Sequence, residues 1–176
     1  MIRDLLTIIF VLGMLILNIM WFTSVSGCGN DSCESLNDVE DFVCGKSTGL
    51  VTRIIDGDTV ELKDGRKIRY LHVNTPEISR SESGEDECFS QQAKEINRQL
   101  VLDKVVNLEY DLNCFDRFKR TLAFVSIEDR MINKILVERG YGELMIISPN
   151  VKHQEEFELL EEKARDTDAG IWGRCL

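Results

Sequence analysis

Val51-Thr52-Arg53-Ile54-Ile55-Asp56-Gly57-Asp58-Thr59-Val60-Glu61-Leu62 is followed by Lys63-Asp64-Gly65-Arg66 and then by Lys67-Ile68-Arg69-Tyr70-Leu71-His72-Val73. β-Branched residues crowd the first run (Val51, Thr52, Ile54, Ile55, Thr59, Val60), which suits a strand over 51–62. Asp64-Gly65 is a hairpin-turn signal, so a second strand over 67–73 follows it. Thr75-Pro76 ends the extended run, because proline lacks an N–H and stiffens its segment.

Further along the chain the period changes. Residues 82–87 form a charged loop. Phe89, Ala93, Ile96 and Leu100 then recur at helical spacing, which predicts a helix over about 90–102. Two strands are expected over 105–112 and 121–127. Met131, Ile132, Ile135 and Leu136 mark a short helix stopped by Gly140, and 141–147 reads as a last strand. Pro149-Asn150 opens a third helix, with Phe157, Leu160 and Ala164 on one face. Its other face carries Glu155, Glu158, Glu161 and Glu162, a solvated charge run without a function of its own. Strands with tight turns, a helix, strands again and two helices predict an α+β domain built on a small barrel.

Toward the N-terminus the pattern is that of a targeting element. Arg3 precedes an apolar run from Leu5 to Phe22, and the small residues Ser24, Ser26 and Gly27 lead to Cys28. This reads as a signal peptide over 1–27. Val25-Ser26-Gly27-Cys28 resembles the bacterial lipobox, in which cleavage leaves a lipidated Cys28. The alternative is an uncleaved signal-anchor helix, since about 20 apolar residues cross a bilayer. Either reading places the domain outside the cytoplasm, tethered to a bacterial membrane. Residues 28–47 are polar and acidic and read as the tether, and 48–176 as the domain.

Charge and cysteine content narrow the function. A net charge of −10 does not hold a polyanion by bulk electrostatics, so passive DNA binding is disfavoured and any nucleic-acid chemistry needs a local basic site. Besides Cys28 there are Cys33, Cys44, Cys88, Cys114 and Cys175, with no CxxC spacing to suggest zinc. Disulfides suit an exported chain. Cys88 with Cys114 and Cys44 with Cys175 would each tie distant segments, although spacing alone does not fix the pairing.

Three clusters carry candidate chemistry. Asp56-Gly57-Asp58-Thr59 offers carboxylate oxygens to a hard cation, though Asp-Gly is also ordinary turn chemistry. Arg69 lies in a strand otherwise suited to the core and therefore needs an anionic partner, either a structural carboxylate or a substrate phosphate. Near it Asn74-Thr75-Pro76-Glu77 supplies amide, carbonyl and carboxylate oxygens. Asp116-Arg117-Phe118-Lys119-Arg120 places guanidinium groups, which bind phosphate oxygens bidentately, just before a strand. Each cluster alone has a bland reading as turn or charged loop. Together they supply the parts for phosphodiester hydrolysis: a cation, a carboxylate base and two arginines for the developing charge.

These residues, in order and with compatible spacing, resemble the staphylococcal nuclease family. Val51 to Val60, Ile68-Arg69-Tyr70 through Asn74-Thr75-Pro76-Glu77, and Asp116 to Arg120 with Thr121-Leu122-Ala123-Phe124 carry the resemblance. Asn133-Lys134-Ile135-Leu136-Val137, Gly140 and Gly170-Ile171-Trp172 extend it, over residues 48 to 173. The resemblance implies a five-stranded OB-fold barrel with three helices and calcium-dependent hydrolysis of DNA and RNA with little sequence specificity, leaving 3′-phosphate ends. It implies Asp58, Asn74 and the Thr75 carbonyl as calcium ligands, Glu77 as general base, and Arg69 and Arg120 as the phosphate-binding arginines. A monomer is expected, with nucleic acid and the membrane as its partners. Three departures bear on this. Asn74 stands where the family has an aspartate, which lowers calcium affinity. Phe118 replaces a tyrosine, and 144–148 offers Ile146 and Ile147 in place of tyrosines, which weakens base stacking. A rival reading is a non-catalytic barrel serving as a binding or envelope module. Retention of Asp58, Arg69, Glu77 and Arg120 together favours the enzyme.

Overall fold

The computed structural model describes residues 44–79 and 84–175. The signal peptide, Cys28 and most of the acidic tether lie outside the described residues. Among those described, no helix is long and apolar enough to cross a membrane.

The chain runs β1 (Thr48–Asp56), β2 (Thr59–Leu62), β3 (Lys67–Tyr70), α1 (Ser90–Val101), β4 (Val105–Glu109), β5 (Thr121–Ile127), β6 (Arg130–Met131), α2 (Ile132–Glu138), α3 (Gln154–Asp166) and a last turn α4 (Ile171–Arg174). Strands lie in the order β3-β2-β1-β4-β5-β6, and β3 also pairs in parallel with β5. That extra pairing closes the first five strands into a barrel, and β6 pairs with the far end of β5 at Ser126 and Ile127. The expected α+β barrel with three helices is the observed fold, with β6 and α4 as short additions.

The predicted strand over 51–62 is two strands. The chain reverses at Gly57-Asp58, so that Asp56 pairs with Thr59 across the hairpin. Gly57 permits this because a Cβ there would sit 2.8 Å from Thr75 Cγ2 and 2.9 Å from Ala93 Cβ. Asp58 is thereby carried to the tip of a hairpin. The strand predicted over 141–147 is absent. Within it only Glu143 pairs, with Asn74. Further on, the Leu144 N–H is taken by the Glu161 carboxylate at 2.8 Å.

Val51, Val60, Leu62, Ile68, Tyr70, Leu122 and Phe124 fill the barrel. Two buried asparagines fix helices to it. Asn97 of α1 accepts from the Tyr70 hydroxyl at 3.0 Å and donates to the Asp56 carbonyl at 3.2 Å. Asn133 of α2 accepts from the Val125 N–H and donates to the Leu71 carbonyl, both at 2.8 Å. Satisfied bonds of this kind contribute about 1 kcal/mol each, and a lost partner leaves a buried group unpaired at a cost of about 1–3 kcal/mol. His72 packs edge-on against Phe124 and Phe157. Burial holds its pKa down, so it is a neutral core residue.

The disulfides are Cys44–Cys114 and Cys88–Cys175. They replace the pairing of Cys88 with Cys114 and Cys44 with Cys175. The reason is topological. β1 and β4 are antiparallel, with Thr48 opposite Asn107, so the segment entering β1 lies beside the segment leaving β4. Residues 44–47, read as tether, are accordingly fastened to the barrel. The Lys46 carbonyl accepts from the Tyr110 hydroxyl at 2.7 Å and from Arg66 at 2.6 Å.

Candidate active site

The β1–β2 hairpin and the β2–β3 register build the first half of the site. Thr59 lies directly opposite Arg69, which sets the guanidinium beside Asp58. Both are buried, each with 4% exposure, and Asp58 Oδ2 is 3.2 Å from Arg69 Nη1. The anionic partner expected for Arg69 is therefore Asp58. Asp58 Oδ1 also accepts from Thr59 Oγ1 at 2.8 Å, and Oδ2 from the Thr75 N–H at 3.0 Å and its hydroxyl at 3.2 Å. Arg69 donates in turn to the Tyr70 and Val73 carbonyls and to Asn74 Oδ1. Burial pushes the guanidinium pKa down, Asp58 opposes that, and the nearby charge of Arg120 adds to it.

Asn74 is oriented from both ends. Its Oδ1 accepts from Arg69 and its Nδ2 donates to Glu143 Oε1, each at 3.3 Å. Backbone bonds of 2.9 Å in both directions join Asn74 to Glu143. Asp58, Arg69, Asn74 and Thr75 thus form one hydrogen-bonded cluster, with Arg69 between the Asp58 carboxylate and the Asn74 amide oxygen. Among the described residues no three carboxylate, histidine or cysteine side chains converge on one metal position. Of the expected cation ligands only Asp58 is a carboxylate, and its oxygens and Asn74 Oδ1 accept from Arg69, Thr59 and Thr75, donors that a cation would have to displace.

The second half of the site comes from the loop before β5. Asp116 Oδ1 accepts from the N–H groups of Phe118 and Arg120 at 2.8 and 2.9 Å, and Oδ2 accepts from Arg120 Nε at 2.6 Å. Burial pushes the Asp116 carboxyl up, but these bonds and the Arg120 charge outweigh it and hold the pKa below its ordinary value. With Nε engaged by Asp116, the two Nη groups of Arg120 are the donors that remain for a ligand. The Phe118 ring is 64% exposed and lies against Arg117 and Arg120, 4.7 and 5.5 Å from their guanidinium carbons.

Glu77, Phe118 and Arg120 line one cleft of about 550 Å³, together with Asp56, Thr59 and Lys67. The structure thus brings Glu77 and Arg120 to the same opening, one residue along the chain from the Asp58 cluster at Thr59. Ile146 and Ile147 are not part of that lining. Lys67 and Glu143 were not singled out from sequence. Lys67 sits in an unremarkable strand start, and Glu143 meets Asn74 across 69 residues, a separation that leaves no local signal.

Comparison with known proteins identifies the family. The family model described as "Staphylococcal nuclease homologue" matches residues 67–174. The chain is 32% identical over 130 residues to the thermonuclease of Staphylococcus hyicus, covering 72% of this chain and 76% of that protein. It is 32% identical over 128 residues to the thermonuclease of Staphylococcus intermedius, covering 71% and 76% respectively. A third relative, the endonuclease YncB of Bacillus subtilis (strain 168), is 31% identical over 130 residues, covering 69% of this chain and 60% of that protein. With the barrel, the Asp58–Arg69 cluster and the Glu77–Arg120 cleft all in place, the chain belongs to the staphylococcal nuclease family, the phosphodiester-hydrolysing nucleases.

Proposed function

We propose that the domain is a calcium-dependent nuclease that hydrolyses DNA and RNA with little sequence preference and leaves 3′-phosphate ends. The observation that carries this reading is the meeting of Glu77 and Arg120 in one cleft beside the buried Asp58–Arg69 pair. Glu77 accepts a proton from water as the water oxygen adds to phosphorus; the bond to the 5′ oxygen breaks, and that oxygen leaves as a hydroxyl with a proton taken from solvent. The Nη groups of Arg120 stabilise the charge that builds on the non-bridging oxygens. Arg69 adds fixed positive charge from below the surface. Asp58, Asn74 and the Thr75 carbonyl would hold the cation, which when bound polarises the phosphoryl oxygen. The open cleft admits a backbone without reading its bases, in keeping with low sequence preference. The domain acts as a monomer.

Purified domain starting at Cys44 should cleave single-stranded and double-stranded DNA when calcium is added and stop when a chelator removes it. With Asn74 in place of a carboxylate, the calcium needed should lie toward the weak end of the range for oxygen sites, about 10⁻⁴–10⁻³ M. Activity unchanged by the chelator would remove calcium from the mechanism. No cleavage at any calcium concentration would favour the non-catalytic module, the reading that Asn74 and the acidic net charge support.

We also propose that the domain works outside the cytoplasm, held to a bacterial membrane by a lipid on Cys28. Cys28→Ser should then move the protein from the membrane fraction to the soluble one. Retention of that variant in the membrane would point to an anchor helix.

A further inference from the structure

Glu77 follows a proline, past the last residue of its segment that pairs in sheet fashion, Asn74. Another element nevertheless grips its backbone. The Glu77 N–H donates to Glu87 Oε2 at 2.8 Å, and the Glu87 N–H donates back to the Glu77 carbonyl at 3.0 Å. A second rung lies beside the first: the Ser79 N–H donates to Asp86 Oδ1 at 2.9 Å. Asp86 Oδ2 is itself held by Gln91 of α1 at 2.7 Å, and the Glu87 carbonyl accepts from the N–H of Ser90 at 3.1 Å. The next residue, Cys88, is bonded to Cys175 at the end of α4.

We propose that Glu87 is a positioning residue for Glu77, and that α1 and the Cys88–Cys175 disulfide hold Glu87 in place to do this. The inference rests on Glu77 being the base. Rungs made by exposed carboxylates compete with water and are weak when their owner moves freely. Here Asp86 and Glu87 are anchored on two sides, by a helix and by a covalent bond, so little ordering cost remains when the rungs form. Placement matters because a displacement of about 1 Å at a reacting group costs on the order of a hundredfold in rate. Glu87 has no part in holding substrate or metal. It acts through the backbone of the residue that does.

The test uses the oxidised domain and three variants. Glu87→Ala should lower kcat by about tenfold to a hundredfold with KM within twofold of the parent and the thermal midpoint unchanged. Glu87→Gln keeps an oxygen acceptor for the Glu77 N–H and should recover most of that loss. Cys88→Ser with Cys175→Ser should lower kcat in the same sense as Glu87→Ala. Amide hydrogen exchange at Glu77 should be slow in the parent and Glu87→Gln and at least several-fold faster in Glu87→Ala. Parental kcat in Glu87→Ala, or unchanged exchange at Glu77, would overturn the proposal. Full activity of Glu77→Gln would instead overturn the base assignment, and the exchange measurement would still decide the clamp.

Discussion

Replacing Glu77 with glutamine should lower kcat by about 10²–10⁴-fold, the range a positioned general base supplies, and leave the fold intact. Glu77 is exposed on the cleft wall and contributes nothing to the barrel core. Its backbone bonds to Glu87 are made by the main chain, so they survive the substitution. The amide keeps the size and shape of the side chain but binds no proton from water. KM should change little, because a general base acts on the water in the transition state and does not hold the bound substrate. Steady-state rates on a defined oligonucleotide, with circular dichroism as the check on folding, decide the matter. A variant with parental kcat would show that another group accepts the proton.

The second large effect is on stability. Asp58→Ala should cost about 3–5 kcal/mol, the loss typical when one member of a buried ion pair is removed and the other stays charged. Arg69 cannot shed its proton to escape, and its bonds to the Tyr70 and Val73 carbonyls keep it from turning out to solvent. The same substitution strips the Thr75 N–H of its acceptor. Against a typical total of about 5–15 kcal/mol, this is a large fraction. Urea unfolding should show the midpoint falling with an unchanged slope. A loss below about 1 kcal/mol would mean that water or the Glu77 and Asp116 charges, which also act on Arg69, compensate it. Asp58→Asn, which retains an oxygen for Thr75, should cost less than Asp58→Ala.

The barrel was legible because its signals are local. β-Branched runs, Asp64-Gly65 and the helical spacing of Ala93, Ile96 and Leu100 each announce their element within a few residues. The errors arose where tertiary closeness decides. Residues on both sides of Gly57 favour strand, and the pairing of Asp56 with Thr59 shows that the chain reverses between them. Tyr141, Leu144, Ile146 and Ile147 look like a strand, yet only Glu143 finds a sheet partner, Asn74, and the next N–H, that of Leu144, goes to the Glu161 side chain. Arg69 announced an anionic partner, but only the β2–β3 register identifies it as Asp58. Glu87 and Cys88 sit in a stretch whose composition says merely charged loop, and their contacts with Glu77 and Cys175 come from the fold.

The two disulfides overlap along the chain, since Cys88 lies between Cys44 and Cys114, and Cys114 between Cys88 and Cys175. Wherever a protease cuts once between Cys44 and Cys175, at least one bridge still joins the two pieces. A nick in an exposed loop, where proteases cut most readily, therefore releases no fragment. The barrel halves stay at high effective concentration and can hold their native pairing. For a domain proposed to work outside the cell's own quality control, that interlock converts a lethal cleavage into a tolerated one. Only a second cut or a reductant separates the parts.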